Sequence, residues 1–259
     1  MKPQISVVIP ACNEEKNIKK CLESLKVQTL PKEEFEIILV DNNCQDNTVE
    51  IAKRYGVGVK IVKEEKQGLI YARIKGIESS LSPIIAFLDA DSLVNTGWLS
   101  SIEKTFNKNP EIVGIGFEGN LQPKNIVVRI AENILCLFYT VNPIMPGYCF
   151  SFRKEAYFNT GGFDPDIKFG EDVYLSKKLK KIGKIIVKRG MVTTSSRRYL
   201  SLSSFATYAF KTFISFFLIT LFDKSPVELT PFSQKKVGLN LLKNKNFSGN
   251  SLPWPEENN

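Results

Sequence analysis

The apolar and polar positions of residues 1–91 alternate in a regular rhythm. ISVVIP (5–10), FEIILVD (35–41), VKIVKE (59–64) and IIAFLDAD (84–91) are short apolar or β-branched runs bounded by polar or turn-forming residues. Such runs are the signature of buried strands, and Pro10 is expected to stop the first. Between them, 13–28, 47–56 and 68–81 carry apolar residues at helical spacing, for example Ile18, Leu22 and Leu25. Asn13 is the expected N-cap of the first helix, with Glu14 and Glu15 in its first turn. Gly56 is the expected end of the second. The rhythm β-α-β-α-β-α-β with short connections predicts a parallel sheet covered by helices. Ligands of such sheets bind at the carboxyl ends of the strands, where Pro10, Asp41 and Asp89 fall.

The second half is less regular. Residues 95–110 read as a helix, 112–121 as a strand broken by glycines, and 127–141 as a strongly apolar helix. A turn-rich stretch, 142–156, precedes another helix over 171–183 with Leu175, Leu179 and Ile182 on one face, and 184–196 returns as a strand. Residues 205–222 are the most apolar window, interrupted by Lys211. That window is short of the roughly 20 apolar residues of a membrane span. Two readings stand: a helix lying on a membrane surface, with Lys224 and the pair Lys235–Lys236 beyond it, or a core or dimer-interface helix. From about residue 225 Pro, Asn, Ser and Lys dominate, and the end of the chain reads as a loose tail.

Composition narrows the chemistry. With 259 residues, 43% of them hydrophobic and 24% charged, the chain can bury a core. A net charge of +8 favours anionic partners such as nucleotides, phosphorylated lipids, anionic membrane surfaces or nucleic acid, unless it only reflects surface lysines. The five cysteines form no CxxC pair, which fits a reducing cytosol, and no signal peptide is read at the start. The absence of histidine removes Ser-His-Asp and Cys-His catalysis. No RNA-binding motif, Walker A sequence or GxGxxG opening is found, so nucleic acid is not an expected partner.

Asp89 and Asp91 raise a specific question. In an extended segment they point to the same side, and two carboxylates there need a metal ion, a basic side chain or water between them. The plain alternative is an Asx-type turn after a strand.

Four stretches, in order over roughly residues 4–200, resemble the family 2 glycosyltransferases, whose catalytic domain has the GT-A fold. SVVIPACNEEKN carries a P-x-x-N-E signature at Pro10, Asn13 and Glu14. EIILVDNNCQDNT is similar to the family's VDDGSTDNT, with Asp41, Asp46 and Thr48 matching and Asn42 and Cys44 departing. AFLDADSLVNTGWL resembles the DxD segment, and GGFDPDIKFGEDVYLSKKLKKIG the acceptor-side motif that ends in "ED".

The resemblance implies an α/β fold of the GT-A nucleotide-diphospho-sugar transferase type, a mostly parallel central sheet flanked by helices. The resemblance covers a transferase domain (1–200); the apolar C-terminal helical extension (201–224), open to the two readings given above, and a polar tail (225–259) follow it. Pro10, Ala11, Asn13, Glu14, Asp41 and Arg73 would contact the nucleotide-sugar, together with Asp89, Ala90 and Asp91. Asp91, with Asp89, would hold Mg²⁺ or Mn²⁺ bridging the donor diphosphate. Asp172 would be the base of an inverting transfer, supported by Glu171, and Gly147, Tyr148, Gly162 and Asp164 would shape the acceptor side. For each there is a plainer role: an N-capped helix for Asn13 and Glu14, a helix-surface cation for Arg73, helix N-terminal acids for Glu171 and Asp172, and a buried strand with a turn for 147–156.

Many metal-dependent relatives supply a histidine after the ED helix. The comparable region here reads VTTSSRRYL (192–200), and Arg197 and Arg198 could meet the diphosphate instead, bind an acceptor phosphate, or be a solvated pair. The function implied is transfer from a UDP- or GDP-sugar to a carbohydrate or lipid-linked hydroxyl acceptor in polysaccharide or lipid-linked glycan synthesis. The expected place is the cytoplasm, peripheral to the inner face of the membrane. A catalytically weak nucleotide-sugar-binding protein and a nucleotidyltransferase are the alternatives.

Overall fold

The structure, a computed structural model, describes residues 2–55, 58–167, 169–197 and 201–222. The four apolar runs of the first half form β1 (Ile5–Ala11), β2 (Phe35–Asp41), β3 (Val59–Lys63) and β4 (Ile84–Leu88). Between them lie α1 (Ile18–Lys26), α2 (Thr48–Arg54) and α3 (Leu69–Glu78). β1 pairs in parallel with both β2 and β4, and β2 in parallel with β3. The chain therefore leaves β1 toward one edge and returns to its other flank with β4. That reversal opens a crevice at the carboxyl ends of β1 and β4.

The second half comprises β5 (Ser92–Val94), α4 (Trp98–Lys108), β6 (Ile112–Gln122), α5 (Ile126–Val141) and β7 (Cys149–Arg153). It continues with α6 (Lys154–Asn159), α7 (Glu171–Leu179), β8 (Lys184–Ser195) and α8 (Leu202–Phe222). β7 runs antiparallel to β4 on one side and β6 on the other, and so joins the two halves into one sheet. Among the described residues the order is β3-β2-β1-β4-β7-β6-β8-β5. Apolar clusters cover both faces. Ile18, Leu22 and Leu25 of α1 pack with Trp98 and Phe106 of α4 on one, and Phe87, Phe150 and Phe152 with Leu175 and Leu179 of α7 on the other. Full burial of each such side chain contributes about 1.5–3 kcal/mol.

Several local expectations are corrected. Pro10 does not stop β1, which continues to Ala11; the ladder with β4 ends at Val8. Asn13 does not cap α1: the helix begins at Ile18 without an acid in its first turn, and Asn13 sits in a loop at φ 58°. Glycines do not break the strand at 112–121, because β6 runs unbroken with two register shifts against β8. Ile182 lies beyond the end of α7 and is exposed, while Leu175 and Leu179 are fully buried. α8 is not a core helix: Leu202–Leu221 is long and apolar enough to cross a membrane, and only 11% of its apolar stretch is buried. Gly56, Arg198, Lys224, Lys235, Lys236 and the tail 225–259 lie outside the described residues.

Candidate active site

The two aspartates after β4 do not lie on an extended segment. Ser92 N donates to Asp89 O (2.9 Å), so the chain turns between them and β5 follows at once. The turn sends the two acids to different cations. Asp89 Oδ1 lies 3.8 Å from Arg73 Nη2, and Asp91 Oδ2 lies 2.8 Å from Arg197 Nη2. Basic side chains are thus what the structure places against this pair.

Arg73 is the hub of the first group. It projects from α3 into the core, 1% exposed, between the rings of Phe87 and Phe150 at 5.5 and 5.2 Å. These two phenylalanines are register partners on β4 and β7, and a guanidinium stacks well between such faces. Its Nη1 donates to Glu171 Oε1 and its Nη2 to Gly147 O, while its Nε has no acceptor. One guanidinium therefore joins the DxD turn, the loop before β7 and the first residue of α7. Arg73 is not a helix-surface cation.

Asp172 follows Glu171 in the first turn of α7, and its Oδ1 accepts from Val173 N (2.9 Å). A methyl group on Gly147 would stand 3.0 Å from Asp172 Oδ2, so the glycine lets the backbone approach this carboxylate. Burial raises the Asp172 carboxyl above its ordinary range, and the Glu171 charge adds to the rise, while Arg73 and two amide hydrogen bonds oppose it. Tyr148 O accepts from Asp89 N (2.9 Å), and its hydroxyl accepts from Gly119 N (2.8 Å), which ties the same loop to β6. Burial pushes the Tyr148 phenol above its ordinary value.

Arg197, just beyond β8, organises the second group. Its Nη2 bridges Asp91 to Glu14 Oε1, at 2.8 Å each. Glu14 is held in turn: its amide donates to Thr48 Oγ1 (2.7 Å), and its Oε2 accepts from Asn17 (2.7 Å). Asp46 accepts from the amides of Glu15 and Thr48 (both 3.0 Å). Burial works to raise the Asp46 carboxyl, but bonds from the Thr48 hydroxyl and these amides outweigh it and lower it. Asn13 Oδ1 accepts from Gln45 N (2.7 Å), and Asp41 Oδ1 from Cys44 N (2.9 Å). The loops after β1 and β2 thus lock onto each other.

Ala11 and Ala90 are buried beside these acids, and Pro10 lies within β1. Gly162 and Asp164 lie in the loop between α6 and α7. Gly162 turns at φ 57° against the Tyr157 ring, and Asp164 closes a turn onto Asp166 N (2.9 Å). Sequence reasoning missed Asn42, Phe87 and Phe150. Asn42, 3% exposed, donates to Glu64 O and Lys66 O (3.1 and 2.7 Å) and accepts from Gly68 N (2.8 Å). Its departure from the family pattern was the signal, since only an amide both donates and accepts here.

The donor set suits a hard divalent cation in one way. Among the described residues no group of three or more His, Cys, Asp or Glu could hold a metal. Asp91 and Asp89 supply carboxylate oxygens only, and Mg²⁺-type ions are bound through one or two carboxylates completed by substrate phosphates and water. The residues present fit that arrangement.

A crevice of carboxylates and arginines at the switch point of an α/β sheet is where such folds bind their ligands. The mannosyltransferase PcManGT from Pyrobaculum calidifontis, solved with GDP-Man and Mn²⁺, shares the fold at a TM-score of 0.69 and 20% identity, over 87% of this chain and 66% of that one. That is the GT-A architecture. The description "Glycosyl transferase family 2" matches residues 6–159, and the chain belongs to that family. It is 43% identical over 101 residues to glycosyltransferase AglE of Haloferax volcanii, which is 38% of this chain and 33% of that protein. It is 29% identical over 164 residues, 60% of this chain, to the dolichyl N-acetyl-alpha-D-glucosaminyl phosphate 3-beta-D-2,3-diacetamido-2,3-dideoxy-beta-D-glucuronosyltransferase of Methanococcus voltae. The matches span a third and a half of those two relatives' own lengths.

Proposed function

We propose that the chain is an inverting glycosyltransferase moving a sugar from a UDP- or GDP-linked donor to a hydroxyl of a carbohydrate or lipid-linked acceptor. One observation carries the reading: Arg73 ties the DxD turn to the first residue of α7, so Asp89 and Asp172 flank one crevice. Glycosyl transfer needs a site for the diphosphate and, across the sugar, a base. Asp172 takes the proton from the acceptor hydroxyl as its oxygen bonds to the anomeric carbon and the bond to the diphosphate breaks. Mg²⁺ or Mn²⁺ held by Asp91 and Asp89 would supply Lewis-acid stabilisation of the departing diphosphate. Arg197, already on Asp91, is positioned to add a charge-assisted contact to the same phosphates; Arg198 would share this work. Pro10, Ala11, Asn13, Glu14 and Asp41 would line the base and ribose, and Gly147 and Tyr148 the acceptor side.

A lipid-linked acceptor is supported by the name of the Methanococcus relative, and a GDP-linked donor by the GDP-Man in the Pyrobaculum structure. Residues 1–200 would form the transferase unit, with the apolar segment 201–224 and the tail 225–259 appended. All five cysteines are free thiols, in keeping with a cytoplasmic site of action at the inner face of a membrane. The test is turnover of radiolabelled nucleotide sugars with Mn²⁺. Wild type should release nucleotide diphosphate, and D91N and D172N should each lose at least about 100-fold, the scale of removing a general base or charge stabiliser. Donor binding without turnover in wild type would select the binding-protein alternative.

A further inference from the structure

α5 and α8 carry most of the large apolar side chains that the described surface exposes. On α5 these are Ile126, Ile130, Ile134, Leu137 and Val141. At about 100° per residue they fall within an arc of roughly 80°. The opposite side of α5 is occupied: Val128, Ala131, Leu135 and Tyr139 pack into the molecule. α8 repeats the arrangement. Leu202, Phe210, Phe213, Phe217 and Leu221 are exposed and fall within an arc of roughly 100°, while Phe205, Tyr208, Phe216 and Ile219 face the protein. The two helices touch through Leu135, Phe205 and Tyr208.

Neither helix is placed to span a bilayer. α5 has 16 residues, about 24 Å against the ~30 Å of a hydrocarbon core. α8 is long enough, but Lys177 of α7 donates to its Ile219 and Thr220 carbonyls (2.9 and 2.8 Å), so its last turn is bound to the globular body. A helix with one face on its own protein and an apolar stripe outside lies in an interface. The charges beside the stripes have the sign of an anionic surface: exposed Arg129 on α5 and partly buried Lys211 on α8. In sequence, Lys224, Lys235, Lys236, Lys243 and Lys245 then follow, against Asp223, Glu228, Glu256 and Glu257.

We propose that α5 and α8 together form one docking face by which the chain lies on an anionic lipid bilayer. The inference deepens the proposed lipid-linked acceptor. The inner side of α5 lines a cleft of about 260 Å³, where Glu118, Asn120, Tyr148 and Arg189 stand beside Leu121 and Leu135. Tyr148 borders Gly147, and through it Asp172. A bilayer against the outer side of α5 would bring a membrane-borne acceptor to the edge of that cleft. α8 meets the reaction centre as well: Gly170, immediately before Glu171, lies against Ser215 and Ile219.

Flotation of the full chain with vesicles of phosphatidylglycerol and phosphatidylcholine tests this. Wild type should float with mixed vesicles and at least tenfold less with pure phosphatidylcholine. I130E/I134E on α5 and F213E/F217E on α8 should each lower the bound fraction at least tenfold, with unchanged circular dichroism and unchanged donor-induced thermal shift. Binding that survives the α5 pair overturns the two-helix face, and no binding to anionic vesicles overturns the proposal. A lipid-free dimer by analytical ultracentrifugation that both variants dissociate would assign the face to a second copy and overturn it too. Donor binding is read without lipid, so failure here is distinct from failure of the transferase reading.

Discussion

At the scale of single residues, charge and hydrogen-bond capacity decide most of the site. Asn42 stands where the family pattern has an acid, and its amide pins the loop between β3 and α3 through two donations and one acceptance. Asn42→Asp keeps the shape but cannot donate, leaving the Glu64 and Lys66 carbonyls facing a buried charge. A loss of about 1–3 kcal/mol is expected, read as a lower urea midpoint at unchanged slope. Glu171 offers a different test. Its charge helps raise the Asp172 carboxyl, and a base works only when deprotonated, so turnover should fall as pH drops through a value above the ordinary aspartate range. Glu171→Gln removes the raising charge while Arg73 remains. The acid limb of the pH–rate profile should therefore move to lower pH, whereas Asp172→Asn should abolish the limb with the activity. An acid limb that stays put in Glu171→Gln would remove Glu171 from the electrostatics of the base.

At the scale of elements, two glycines divide fold from function. A methyl group at Gly162 would meet the Tyr157 ring at 2.3 Å, and the residue turns at φ 57°. Gly162→Ala should destabilise the chain by at least about 1–3 kcal/mol, the range for a strained backbone. Gly147→Ala should leave the melting temperature near wild type but crowd Asp172 Oδ2 at 3.0 Å, and its loss should appear in kcat. The contrast, measured by calorimetry and turnover, separates a residue that holds the loop from one that shapes the crevice. The same elements show what local pattern conveys. β1 to β4 were legible because each is a short apolar run bounded by polar or turn-forming residues. β6 was not: Gly114 and Gly116 look like breaks, but Met145, Ile144 and Pro146 press against the strand there, and only glycine fits. The role of β7 was equally hidden, since pairing Phe87 with Phe150 is a long-range event. The acids of the DxD and ED motifs and Arg73 were all named from sequence, but the place of Arg73 between those acids was not, because a buried arginine on α3 has the same local signature as an exposed one.

At the scale of the whole molecule, the crevice draws on distant parts of the chain: Glu14 after β1, Asp91 after β4, Glu171 on α7 and Arg197 after β8. Unfolding scatters these groups, so a donor that needs them together binds only the folded state and stabilises all of it. At a free concentration 100 times its Kd such a ligand adds about 2.7 kcal/mol. For a chain of this size each kcal/mol moves the melting temperature by roughly 2–4 °C, so a shift of about 5–10 °C is expected for the right nucleotide sugar with Mn²⁺. A panel of UDP- and GDP-sugars, with and without the metal, should single out one base. Asp91→Asn should erase the part of the shift that depends on Mn²⁺. Arg197→Ala should shrink the part that does not, because its guanidinium would meet the diphosphate directly while Asp91 remains to hold the cation. If Arg197→Ala leaves both parts intact, the bridge to Glu14 and Asp91 serves the fold of the crevice alone, and the diphosphate is held by other groups. If it enlarges the metal-dependent part, Arg197 competes with the cation for Asp91, and donor binding must first displace it.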